Sequence, residues 1–113
     1  MVKLKIAFDT DDCILVPSVA HGFGMDTPNY ETIAVLKWFQ AQGHEIILWS
    51  GSGCDWAQTW ADKLGLDVRV IAKGSEKVDI ALDDMEVSLG TVNVKVKRIN
   101  NSISRKEWNK NKK

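Results

Sequence analysis

Apolar residues fall into two kinds of run along this chain, and the contrast between them predicts its elements. "KLKIAF" (residues 3–8) alternates and then turns wholly apolar, predicting a strand that enters the core and delivers Asp9 at its C-terminal end. "EIILW" (45–49) is continuously apolar, the pattern of a strand buried on both faces. "VRVIA" (68–72), "VDIAL" (78–82) and "TVNVKV" (91–96) predict three further strands. Elsewhere the period changes to that of a helix. Tyr30, Ile33, Ala34, Val35, Leu36, Trp38 and Phe39 give a helix a broad apolar face, with Gly43 at its end. Thr27 is expected to cap this helix, with Pro28 at its first position. Trp56, Trp60, Ala61 and Leu64 place a second helix over about 54–64, closed by Gly65. Lys73-Gly74-Ser75 is expected to open a short helical segment. "DCILVPSVAHGFGMD" (12–26) contains Pro17, Gly22 and Gly24 without helical period, and predicts a loop or small flap.

Strands alternating with helices imply right-handed crossovers and a parallel sheet covered on both faces. The expected fold is therefore α/β, a three-layer Rossmann-like domain with a mainly parallel five-stranded sheet. Such sheets bind ligands beyond the carboxyl ends of their strands. Here those ends carry Asp9, Ser50 and Asp83, so polar residues converge on one edge.

Bulk properties narrow the class. A length of 113 residues suits one domain, expected over residues 1–96, and 44% hydrophobic content supports a packed core. No apolar run approaches the roughly 20 residues needed to cross a bilayer, and the start of the chain lacks a secretory pattern, so a cytoplasmic protein is expected. Cys13 and Cys54 are read as free thiols. The formal charge of zero hides an asymmetry: residues 97–113 hold seven Lys/Arg against Glu107, a net of +6, which leaves residues 1–96 at −6. That basic tail, with Trp108 to stack on a base, is a candidate contact for nucleic acid. A solvated tail and a final helix docked through Ile99, Ile103 and Trp108 are the other readings. The oligomeric state is not legible.

The acidic residues carry the chemistry. Asp9, Asp11, Asp83 and Asp84 at one sheet edge repel one another unless a cation offsets them. Mg²⁺ suits oxygen ligands and a substrate phosphate. Ser50 offers a hydroxyl beside Gly51, whose backbone N–H can approach an anion closely. Lys73 and Lys77 both lie where a positive charge would meet the same anion. Taken singly, each has a plainer reading: turn aspartates, a turn serine, surface lysines. His21, in the flap, faces either substrate or solvent. Trp56 and Trp60, one turn apart, either pack in the core or form an aromatic wall near the Ser50 loop.

Together these segments resemble the haloacid dehalogenase-like (HAD) phosphohydrolases, in the small, capless form. "IAFDTDD" is similar to the first motif of that family, "IILWSGSG" to the second, and "AKGSEKVDIALDD" to the third and fourth, in the family's order over residues 4–96. The resemblance implies Mg²⁺-dependent phosphomonoester hydrolysis through an aspartyl-phosphate. It implies Asp9 as nucleophile, Asp11 as general acid and then base, and a metal held by Asp9, the Asp11 carbonyl and Asp83 or Asp84. Ser50, Gly51 and a lysine would bind the phosphoryl oxygens, with Lys73 favoured over Lys77. Where the family usually has Gly and Thr after the second Asp, this chain has Asp12 and Cys13. Only Asp12 to Asp26 lies where the family inserts a cap, so the site is expected to be open.

Two other classes compete: a HAD-fold binding module that has lost turnover, and a receiver-like phosphoacceptor domain. Receivers carry the phosphorylated Asp after a middle strand, whereas the comparable strand here ends in Ser50. The basic tail favours nucleotide or nucleic-acid phosphates as substrates. If the tail binds nucleic acid, deleting residues 97–113 is expected to abolish a salt-sensitive affinity for single strands. An affinity that survives the deletion, or ignores salt, contradicts that reading.

Overall fold

A computed structural model describes residues 3–16 and 27–97 of the chain. In chain order the elements are β1 (Lys5–Asp9), β2 (Leu15–Val16), β3 (Thr27–Pro28), α1 (Tyr30–Ala41), β4 (Glu45–Trp49), α2 (Cys54–Lys63), β5 (Arg69–Val70), β6 (Val78–Asp83) and β7 (Gly90–Lys95). Five strands form one sheet in the order β5-β4-β1-β6-β7, with every pairing parallel. The fold is thus the expected α/β arrangement. Its strand order runs outward from β1 to β5, then restarts on the other side of β1 with β6. The reversal falls between β1 and β6, which is the topological switch point where open parallel sheets bind ligands.

The two sheet faces are built differently. Ile6, Phe8, Ile46, Leu48 and Leu82 point to one face and share a core with Ile33 and Leu36 of α1 and with Ala57, Trp60 and Ala61 of α2. Ala7, Ile47, Trp49 and Ala81 point to the other, where Val78, Ile71 and Leu89 pack with them. Both helices therefore lie on the first face. The second face is covered by the connections 71–77 and 84–89. Small Ala7 and Ala81 side chains leave room for irregular chain to lie close to the strands.

The helical segment expected from Lys73-Gly74-Ser75 is a turn, with the Ser75 amide donating to the Ala72 carbonyl at 3.0 Å. Chain geometry gives the reason. Seven residues must return from the end of β5 to the start of β6, across a sheet roughly 17 Å deep. As a helix they would span only about 10 Å. Glu76 then anchors this segment at the far edge by ion pairs to Arg69 and, at 3.1 Å, to Lys5. The connection 84–89 is shorter still than the dozen or so residues usual between parallel neighbours. Extended chain just suffices, and the Asn93 side chain holds its end by accepting from the Leu89 and Gly90 amides at 3.0 and 2.9 Å.

A second difference concerns the first helix. Thr27 and Pro28 pair with Val16 and Leu15 in a two-stranded sheet, so the cap passes to Asn29. Asn29 Oδ1 accepts from the Thr32 amide at 3.3 Å, and Nδ2 donates to the Cys13 carbonyl at 3.1 Å. That asparagine ties the start of α1 to the segment after β1. Both helices end as expected, with Gly43 and Gly65 at φ +91 and +64 supplying the left-handed residue that stops each one. His21 and the basic tail beyond Lys97 lie outside the described residues. Among the described residues no helix is long and apolar enough to cross a membrane.

The parallel join of β6 to β7 makes Gly90 a sensitive position. A Cβ there would sit 2.9 Å from the Val92 carbonyl oxygen and 3.0 Å from the Ala81 nitrogen, both backbone atoms. Gly90→Ala is expected to destabilise the domain by about 1–3 kcal/mol in urea unfolding. An unchanged midpoint would show that β7 does not approach β6 this closely.

Candidate active site

β1 and β6 lie side by side, with Phe8 opposite Leu82, so their C-terminal residues Asp9 and Asp83 are neighbours. Each follows an inward alanine of the second face, Ala7 or Ala81, by two residues. Strand alternation therefore sends both carboxylates toward that face. Asp84 joins them. One carboxylate oxygen from each of Asp9, Asp83 and Asp84 lies within 4.8 Å of the others, and none of the three residues is more than 5% exposed.

Lys73 is the cation that meets this cluster. Its Nζ is 2.6 Å from Asp83 Oδ2 and 3.3 Å from Asp9 Oδ1. The Asp83 contact is ionic, with angles outside those of a hydrogen bond. Asp83 Oδ1 accepts from the Met85 amide at 2.9 Å, which fixes that carboxylate against the start of the next connection. Burial works against the Lys73 ammonium, but Asp83 and Asp9 outweigh it and raise its pKa.

Lys73 offsets only part of the charge felt at Asp9. Burial, followed by repulsion from Asp83 and relieved in part by Lys73, pushes Asp9 from 3.8 to about 8. At neutral pH and without a further cation, Asp9 therefore keeps a proton. The donor set is all oxygen, charged and shielded from water, which fits a hard divalent cation such as Mg²⁺. Such an ion would remove the repulsion that now holds the proton on Asp9.

Ser50 follows β4, whose last residue Trp49 is paired with Asp9. Its side chain is buried, and its Oγ accepts from the Ser52 amide at 3.0 Å. Gly51 is exposed and has open space around its α-carbon, so an anion can reach the backbone there. The same loop leads into α2, whose cap residue Gly53 supplies no side-chain acceptor for the first-turn amides. Helix amides of this kind attract anions. Lys77 is elsewhere. It is exposed and immediately precedes β6, with its backbone roughly 20 Å from that of Asp83. Of the two lysines, Lys73 is the one whose Nζ meets the carboxylates.

Asp11 belongs to the same edge but not to the cluster of three. Its Oδ1 accepts from Trp56 Nε1 at 3.1 Å, on the side of α2. Between Asp9 and Asp11, Thr10 is buried; its hydroxyl donates to the Trp49 carbonyl at 2.9 Å, joining β1 to β4. The Thr10 carbonyl in turn accepts from the Cys13, Ile14 and Leu15 amides, winding the following residues into a tight turn. Asp12 occupies that turn at φ +61, a left-handed position that suits glycine and that aspartate also adopts. Cys13 is buried and donates from Sγ to the Leu82 carbonyl at 3.6 Å. Burial and the Asp9, Asp83 and Asp84 charges raise its thiol pKa, so it remains a neutral link from the turn to β6. Asp12 and Cys13 thus have backbone and packing roles here. Cys13 and Cys54 are both free, as expected.

Thr10 is the residue at this edge that sequence reasoning did not assign to the site. Thr10 stands between two candidate aspartates, a position that gives a local signal. Trp56, read either as core or as part of an aromatic wall near the Ser50 loop, is half-buried and reaches Asp11. Comparison with family models, with curated proteins and with solved structures finds no match, so the site is defined by its own residues.

The Asp9 proton gives a pH prediction. The folded carboxyl keeps its proton up to about 8, whereas in the unfolded chain it ionises near 3.8. The Asp9 contribution is therefore most favourable below the unfolded value and is lost as pH rises through this window, by several kcal/mol. In EDTA the melting temperature is expected to fall between about pH 5 and about pH 8, and Mg²⁺ should restore it at the upper end. Asp9→Asn should flatten the profile. A wild-type profile that matches that of Asp9→Asn contradicts the burial of an uncompensated charge.

Proposed function

We propose that this protein is a Mg²⁺-dependent phosphomonoester hydrolase of the capless HAD type, working through a phosphorylated Asp9. The observation that carries this reading is the buried group Asp9, Asp83 and Asp84 with Lys73 at the switch point between β1 and β6. An arrangement with too much negative charge for its own lysine suits a cation and a phosphate together. The four motifs noted in the sequence converge on that same edge, apart from Lys77.

Asp9, Asp83 and Asp84, with the Asp11 carbonyl, would hold Mg²⁺, which supplies charge neutralisation to the phosphoryl oxygens. Asp9 attacks phosphorus in line while the bond to the leaving oxygen breaks, and Asp11 delivers a proton to that oxygen. Water then attacks the phosphorus of the aspartyl-phosphate. Asp11 takes the proton from this water, and the bond from phosphorus to Asp9 breaks to release inorganic phosphate. Ser50, the Gly51 amide and Lys73 bind the phosphoryl oxygens through both steps.

Only Asp12 to Asp26 lies where the family inserts a cap, which suits a site open to large substrates. The basic tail favours nucleotide or nucleic-acid phosphates among these. Two free thiols fit a reducing, cytoplasmic setting.

Phosphate release from an aryl phosphate and from a panel of nucleotides, with Mg²⁺ and with EDTA, tests the proposal. Turnover is expected to require Mg²⁺ and to fall by about a thousandfold or more in Asp9→Asn. Turnover that survives in Asp9→Asn, or its absence across the panel, overturns it.

A further inference from the structure

Asp11 is the odd member of the acidic edge. Three carboxylates gather within 4.8 Å, and Asp11, two residues from Asp9, is not among them. Its Oδ1 lies instead 3.1 Å from the indole nitrogen of Trp56. Trp56 is in the first turn of α2 and is only half-buried, yet it is braced from behind. Its ring meets Trp60 edge-on, with centroids 6.1 Å apart and planes at 76°. Trp60 is a buried member of the main core. The indole N–H is therefore a donor held on a rigid element and aimed at one carboxylate oxygen.

We propose that Trp56 is a positioning residue for Asp11, resting on the reading of Asp11 as the proton donor. The indole does two things. It keeps a fourth carboxylate out of a cluster that already carries more negative charge than Lys73 offsets. It also commits Oδ1, so the transferable proton belongs on Oδ2. When the bond from phosphorus to the leaving oxygen breaks, that proton passes to the leaving oxygen and Asp11 becomes the carboxylate. When water attacks in the second step, the same oxygen recovers a proton from it. Aiming matters because a proton donor acts only within hydrogen-bond reach, and small misplacements cost large factors in rate.

Leaving-group chemistry separates this role from a structural one. An alkyl phosphate needs its departing alkoxide protonated, whereas 4-nitrophenyl phosphate releases a stable anion. Trp56→Phe keeps the ring against Trp60 and removes the N–H. It is expected to lower kcat for a simple alkyl phosphate about tenfold or more, with KM little changed, and kcat for 4-nitrophenyl phosphate less than about twofold. Asp11→Asn should show the same pattern more strongly, and the double variant should be no worse than Asp11→Asn alone. Equal losses on both substrates in Trp56→Phe, or no loss on either, overturn the proposal. If Asp11→Asn lacks the leaving-group pattern, the reading of Asp11 fails and takes this inference with it. A readout independent of turnover is the Trp56 indole N–H resonance in the full chain. It is expected to shift and to exchange faster in Asp11→Asn, and an unmoved resonance shows that the contact is not made.

Discussion

Three carboxylates buried at the junction of two parallel strands, with one lysine between them, set the terms for the rest of this structure. Like charges at this spacing in a low-dielectric site cost several kcal/mol unless something offsets them. The fold supplies only part of the offset. Lys73 pairs with Asp9 and Asp83 and the Met85 amide bonds Asp83, yet Asp9 still holds its proton up to about pH 8. A protein that kept this arrangement only for stability would do better with apolar residues of similar size. The imbalance is the physical case for a cation and an anionic substrate at this edge.

The surrounding architecture serves that edge. Because β1 sits between β4 and β6, one short stretch of sheet brings together the Asp9, Ser50 and Asp83 strand ends. Among the described residues helices occupy one face only, and the other carries the connection with Lys73. That connection is anchored at its far end by Glu76, at the edge opposite the site, so Lys73 is delivered by a segment fixed at both ends. On the helix side, α2 presents its first turn to the loop after β4 and its Trp56 to Asp11. The two carboxylates of the first motif thus face different layers of the molecule. Asp9 meets charge and Asp11 meets an indole.

Much of this was legible in the sequence, and the boundary of legibility has a physical basis. The β4 strand was readable to the residue, because a continuous apolar run ending in a polar turn has few alternatives. The acidic strand ends were readable for the same reason. Strand order was not, since which strands become neighbours depends on pairings far apart in sequence. Lys73 was already favoured over Lys77, and the fold gives the reason: four residues decide whether a side chain lies at the acidic edge or has crossed to the other. The cap of α1 moved from Thr27 to Asn29 because strand pairing with Leu15 and Val16 claimed Thr27 and Pro28 first. Asp12 and Cys13 stand where the resembled family usually has Gly and Thr. The backbone gives Asp12 a left-handed turn to occupy and Cys13 a carbonyl to bond, which no local pattern foretells.

The central claim is that the buried carboxylates form a cation site whose occupation frees Asp9 of its proton. Calorimetric titration of the full-length protein with Mg²⁺ at about pH 7, in buffers of different ionisation enthalpy, tests this most directly. The account predicts saturable binding that releases about one proton per ion, with that release lost in Asp9→Asn. Absence of saturable binding, or binding with no proton release in the wild-type protein, would contradict it.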